Sequence, residues 1–258
     1  MHPIGFFDSG IGGLSVLHEA LKKLPNEHFL YYADSDYAPY GVRPKSEVRD
    51  LLLQALDFLA ERDPQAIVVA CNTATSAAIE DARRRYAFPV IGMEPAVKPA
   101  VAAAGPGKRV LVFATELTLR EEKFHHLVAR VDTEQQVDYQ PLQELVAWAE
   151  RFEFSDDVIL PYLRHKLAAY DLSQYGAVVL GCTHFIFFKS AFEKILPSGV
   201  KILDGNLGTV NNLMAKLPRA LSAGPRVVEW FISGRAVGEE RFLPYLERLN
   251  EASGETQS

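Results

Sequence analysis

Only two of the 258 residues are cysteine, and Cys71 and Cys182 stand far apart. Two isolated cysteines cannot build the disulfide framework of a small secreted domain. No Cys-x-x-Cys occurs, so a thiol oxidoreductase is disfavoured. No His-Glu-x-x-His occurs and the seven histidines show no ligand spacing, so no metal is expected. No lysine motif points to a pyridoxal Schiff base. The Gly-rich run at 10–13 is neither a Walker A loop nor a full dinucleotide fingerprint, and no cofactor is expected. No apolar run reaches the roughly 18–20 residues that span a bilayer. The first eight residues lack a basic stretch followed by a long apolar one, so a cytoplasmic protein without a membrane partner is expected. No long basic run stands out, and 27 basic against 33 acidic side chains give a net charge of −6. Binding to nucleic acid through its phosphates is therefore not expected.

What is present is ordinary for a globular protein. Hydrophobic residues make up 48% of the chain and charged residues 23%. The length suits one large α/β domain or two small ones. Short apolar, β-branched runs predict strands over 4–7, 28–33, 66–70, 89–91, 109–114, 136–139, 177–181, 200–203 and 227–232. Helical spacing predicts helices near 14–24, 46–62, 74–86, 118–129, 142–152, 156–170, 185–196, 207–217 and 238–249. Such alternation argues for parallel sheets covered by helices. The polar residues at 252–258 are expected to fray.

A weak internal repeat gives the cysteines a place. The run Ala66-Ile67-Val68-Val69-Ala70-Cys71-Asn72-Thr73 echoes Ala177-Val178-Val179-Leu180-Gly181-Cys182-Thr183-His184 at an offset of 111 residues (182 − 71). Residues 4–9 echo 110–115 at an offset of 106 (113 − 7), and 89–92 echo 200–203 at 111 (200 − 89). Three echoes in one order argue for a duplicated α/β unit. Open parallel sheets bind ligands beyond the carboxyl ends of their strands. Both cysteines stand at such an end, and two facing halves would hold the thiols on opposite sides of one cleft. A helix opening after each cysteine would favour anions and lower the thiol pKa. Asn72, Thr73 and Thr183 would meet a substrate carboxylate there.

Other polar groups end strands. Asp8 closes the first, ahead of Ser9-Gly10-Ile11-Gly12-Gly13, whose glycines let backbone approach a ligand closely. As a helix cap Asp8 would be unexceptional; as a functional group it would orient or deprotonate a thiol. Asp34-Ser35 and Pro39-Tyr40-Gly41 read as turns. His184, two residues after Cys182, can tune that thiol near neutral pH.

Four motifs, Phe7-Asp8-Ser9-Gly10-Ile11-Gly12-Gly13, Pro39-Tyr40-Gly41, Ala70-Cys71-Asn72-Thr73-Ala74 and Gly181-Cys182-Thr183-His184, together resemble the glutamate racemase family of the aspartate/glutamate racemase superfamily. The resemblance spans most of the chain. It implies two Rossmann-like or flavodoxin-like parallel-sheet domains related by pseudo-twofold symmetry, 1–95 with 206–258 and 96–205, with the active site between them. It implies cofactor-independent interconversion of L- and D-glutamate, supplying D-glutamate for peptidoglycan, by a homodimer. Cys71 would take the α-proton of D-glutamate with help from Asp8. Cys182 would take that of L-glutamate with help from His184 and an acidic residue. Leu145-Val146-Ala147-Trp148-Ala149-Glu150 fits the family's pattern for that acid, which selects Glu150 over Glu144. Implied substrate contacts are Asp8, Ser9, Tyr40, Gly41, Asn72, Thr73, Thr115, Thr118, Thr183 and His184. Phe185-Ile186-Phe187-Phe188 stands where the family has Tyr-Pro-Leu-Leu, and Phe113-Ala114-Thr115-Glu116-Leu117-Thr118 replaces Gly-Thr-x-x-Thr. Both departures bear on dimer packing and on the groups around Cys182. An aspartate racemase, another superfamily activity, or a non-catalytic binding protein on this fold are the alternatives.

Overall fold

The computed structural model describes residues 2–217 and 224–252, so the tail expected to fray lies, beyond Ala252, outside the described residues. Among the described residues, ten strands form two sheets. They are β1 (Ile4–Asp8), β2 (His28–Ala33), β3 (Ala66–Val69), β4 (Val90–Gly92), β5 (Arg109–Ala114), β6 (Val137–Pro141), β7 (Tyr175–Leu180), β8 (Lys201–Asp204), β9 (Val227–Ile232) and β10 (Arg235–Val237). The first sheet runs β10-β9-β2-β1-β3-β4, parallel except for the β10 edge. The second, β6-β5-β7-β8, is wholly parallel.

The shared order within each half, 2-1-3-4 and 6-5-7-8, is the flavodoxin-like one, not the Rossmann 3-2-1-4. It also tests the repeat. Phe7 pairs with Val69 in the first sheet, and Phe113 with Leu180 in the second. Those pairs keep the offsets of 106 and 111 in register. The third echo slips by one residue: Val69 pairs with Gly92, but Leu180 pairs with Asp204 rather than Leu203. An edge strand three or four residues long is weakly pinned by its own pattern.

Helices cover both faces of each sheet, so the strands are near-continuous apolar runs. Alternation sorts their side chains: Phe6, Val68, Leu111, Phe113, Val178 and Leu180 share one core that joins the two halves. Phe7 and Val69 face outward in the first half, and Val110, Val112 and Val179 in the second. The first sheet's strands lie within 4–92 and 227–237, the second's within 109–204. Helix Asn206–Lys216 packs on helix Leu14–Lys23. We place the passages between halves at 95/96 and 205/206 on that allocation.

Local structure departs from expectation at several places, among them three near the site or the seam. The helix expected over 118–129 breaks at Glu121, whose extended backbone separates Glu116–Arg120 from Glu122–Val131. The helix expected over 185–196 begins as a 3-10 turn, Thr183–Phe188, and becomes α-helical only at Lys189–Ile195. Phe185, Ile186, Phe187 and Phe188 are all buried in that turn, and Phe154 packs against Phe188 with ring centroids 5.1 Å apart. This departure from the family motif therefore fills the interior, and its side chains are not free to pack a second subunit. Helix Val97–Ala104 had no expectation at all, because its alanine-rich sequence carries little periodic contrast.

Phe113 is fully buried in the shared core and stacks on Phe192 at 5.0 Å. Phe113→Ala is expected to cost about 3–5 kcal/mol in chemical denaturation.

Candidate active site

The carboxyl ends of the two sheets face each other. The chain leaves β1 at Asp8, β3 for Cys71, β5 for Thr115 and β7 for Cys182. In each sheet these exits flank the point where the strand order reverses, between strands one and three of the half. Both cysteines are free and buried, about 4% and 5% exposed, so chemistry there is shielded from water.

Asp8 sits at the seam. It accepts the Gly10 amide at 3.0 Å and, from the opposite half, the Thr183 hydroxyl at 3.0 Å. Burial pushes its pKa up to about 6, against the pull of His184 and those hydrogen bonds. Sγ of Cys71 lies 3.4 Å from the Ser9 hydroxyl and accepts the Ala74 amide at 3.4 Å, capping helix Asn72–Arg85. That amide was expected to lower the thiol pKa. Instead, burial and the Asp8 charge push Cys71 up to about 12; the Ser9 and Ala74 hydrogen bonds pull down but lose. One sulfur-accepted hydrogen bond at a helix start cannot outweigh full desolvation of a thiolate. Cys182 does not open an α-helix, so its expected helix field is also reduced to that of a 3-10 turn.

Cys182 has a different partner. His184 Nδ1 lies 3.8 Å from its sulfur, and His184 Nε2 meets Glu150 Oε1 at 2.7 Å. Burial alone would lower the imidazole pKa, but the hydrogen bonds and charges of Cys182 and Glu150 carry it well above 6.5. Glu150 is held from the first half by the Ile11 amide at 2.8 Å and the Ser35 hydroxyl at 3.1 Å. A cavity of about 690 Å³, lined by Glu150, Ser35, Arg241 and Tyr245, opens on its outer side. Glu144 points elsewhere, to Tyr162 and Lys166.

The glycines of the first motif serve this meeting of halves. A Cβ on Gly10 would stand 1.8 Å from Glu150 Oε1, and one on Gly12 would stand 2.4 Å from His184 Nδ1. The sequence suggested close approach to a ligand; the structure shows close approach to the second half's side chains.

The remaining expected contacts divide in two. Thr73, Thr115 and Thr118 form a buried hydroxyl cluster across the seam, at 2.9, 3.3 and 2.9 Å. Tyr40 is buried, but its hydroxyl donates to Asp34 at 2.5 Å, so the side chain braces the loop and leaves only its backbone and that of Gly41 for a ligand. Asn72 gives its amide NH₂ to the Met93 carbonyl at 3.2 Å. Among the described residues, three buried side-chain polar atoms have no hydrogen-bond partner: Asn72 Oδ1 and both amide atoms of Gln143. Ser35 and Gln143 were not singled out in the sequence, because a turn serine and a glutamine between two apolar residues carry no motif. Among the described residues, no group of three or more His, Cys, Asp or Glu side chains is placed to hold a metal, and no helix is long and apolar enough to cross a membrane.

Two titrations follow. Asp8 ionises with an ordinary pKa near 3.8 when unfolded and about 6 when folded. Its contribution to stability is full below about pH 4 and is lost as pH rises through 6, on the order of 3 kcal/mol. Asp8→Asn should flatten that part of the stability–pH curve. His184 should hold its proton through neutral pH, and Glu150→Gln should lower its pKa, as read from imidazole ¹⁵N shifts.

Known proteins resemble this chain in sequence and in fold. Residues 11–213 match the family model of Asp/Glu/hydantoin racemases. The chain is 48% identical to glutamate racemase 2 of Bacillus subtilis, with 98% of this chain and 97% of that protein covered. It is 49% identical to the glutamate racemase of Halothermothrix orenii, with 96% and 99% covered. Its fold matches Escherichia coli glutamate racemase, solved with L-glutamate and the activator UDP-MurNAc-ala, at a TM-score of 0.81 and 30% identity, with 96% of each chain covered. With paired thiols at equivalent strand ends, and with this extent of similarity, the chain belongs to the Asp/Glu/hydantoin racemase family.

Proposed function

We propose that the protein interconverts L- and D-glutamate without a cofactor, using Cys71 and Cys182 on opposite faces of the α-carbon. The observation that carries this reading is the placement of the two sulfurs at equivalent strand ends of two facing sheets, each with its own acid/base partner. The glutamate racemases among its relatives support the substrate. An aspartate racemase is the alternative within the family. The family resemblance further supports a role in supplying D-glutamate for peptidoglycan, in the cytoplasm, as a homodimer.

Racemisation removes a proton from one face of the α-carbon and returns one to the other, so each turnover uses one thiolate and one thiol. The surroundings are unequal. Burial and Asp8 favour the protonated form of Cys71, which suits it to donate. An imidazolium beside Cys182, steadied by Glu150, is the electrostatic partner that a thiolate needs. This assigns Cys182 as base toward L-glutamate and Cys71 as the acid on the far face. In reverse, Cys71 must ionise. A substrate ammonium set against Asp8 offsets the carboxylate that opposes this. Asn72 Oδ1, an acceptor without a partner, suits the same ammonium. The Thr73 hydroxyl and the exclusion of water then stabilise charge developing on the substrate carboxylate.

Purified protein free of pyridoxal phosphate should abolish the circular dichroism of L-glutamate with time, and act far more slowly on L-aspartate. Cys71→Ser and Cys182→Ser should each lower racemisation by at least about a thousandfold, since each removes one of two obligatory groups. Each should still eliminate a leaving group from one enantiomer of a suitable analogue, because elimination needs a single base. Full racemisation in either variant would overturn the two-thiol scheme.

A further inference from the structure

A glutamine whose whole amide is buried and unpaired is the feature that the account so far leaves unused. Removing both amide atoms of Gln143 from water without a hydrogen bond costs several times the net worth of a formed one, so such a side chain persists where a ligand completes it. Its position says which ligand group. Gln143 follows β6, and Gly41 follows β2; these are equivalent strands of the two halves, each beside the first strand of its half. The two residues meet across the seam, where a Cβ on Gly41 would stand 2.4 Å from Gln143 Oε1 and 2.7 Å from Thr115 Cβ. The cleft therefore runs from the thiols after β3 and β7, past Asp8 and Thr115 after β1 and β5, to Gly41 and Gln143. β6 lies two strand spacings from β7, about 10 Å.

We infer that the Gln143 amide binds the distal carboxylate of the substrate and thereby selects a distal carboxyl carbon three carbons from the α-carbon over one only two away. This rests on the racemase reading above and adds the residue that reads the substrate's far end. A half-turn of the terminal amide exchanges its two atoms, so the NH₂ can face the cleft and donate to a carboxylate. Gly41, lacking a Cβ, is what lets the Gln143 amide and the Thr115 side chain come this close to its backbone. Because the amide has no partner in the protein, replacing it removes nothing that holds the fold together.

Steady-state kinetics on L-glutamate with Gln143→Leu and Gln143→Glu test this. A lost hydrogen bond to a charged group predicts a KM raised roughly 10- to 100-fold in Gln143→Leu, with kcat within about threefold and the melting temperature unchanged or higher. Gln143→Glu, nearly isosteric, should raise KM further, because it sets like charges together. The preference for glutamate over aspartate should narrow in Gln143→Leu. A wild type that leaves glutamate untouched overturns the racemase reading and this one with it. An active wild type with an unchanged KM in folded Gln143→Glu or Gln143→Leu overturns this inference alone.

Discussion

The Thr183 hydroxyl reaches across from one sheet to donate to Asp8 at the end of the other. Much of the site hangs on that crossing and on those that accompany it. Glu150 binds the Ile11 amide and the Ser35 hydroxyl, and Thr73 meets Thr115. Each bond joins a side chain of one half to a group of the other. None would form if the two sheets did not present their carboxyl ends to each other at contact distance. Gly10 and Gly12 set that distance, since any side chain there would collide with Glu150 or His184.

Bringing the halves this close has an electrostatic consequence. Five ionisable groups, Asp8, Cys71, Cys182, His184 and Glu150, are held in little water. Two duplicated halves could have given two identical thiols. They do not, because the groups beside them differ. A carboxylate faces Cys71 and an imidazole faces Cys182. The repeat supplies matched positions, and the unmatched neighbours make the surroundings of the two thiols unequal.

Sheet topology was legible in the sequence to an unusual depth, because buried parallel strands are short apolar runs and a duplicated unit repeats them in order. The echoes of β1 with β5 and β3 with β7 hold to the residue; that of β4 with β8 slips by one, where short edge strands give little to fix register. The motifs brought Asp8, Cys71, Cys182, His184 and Glu150 together on the page, and the structure brings them together in space. What could not be read was the balance of forces on them. A cysteine before a helix suggests a lowered pKa, but depth of burial is a tertiary property, and it reversed the direction at Cys71. Tyr40 looked like a ligand contact and spends its hydroxyl on Asp34. Ser35 and Gln143 lay outside every motif, because their roles come only from what the other half sets opposite them.

The central claim, two different groups on two faces of one carbon, is tested most directly by isotope tracing. L-Glutamate should be turned over in D₂O at low conversion, and the α-position of both enantiomers read by mass spectrometry after separation. A proton taken by one thiol and a deuteron delivered by the other predict D-glutamate labelled at the α-carbon and recovered L-glutamate without label, with the mirror result starting from D-glutamate. Product that keeps its original α-proton, or substrate and product labelled alike from the start, would mean a single base serving both faces and would contradict the account.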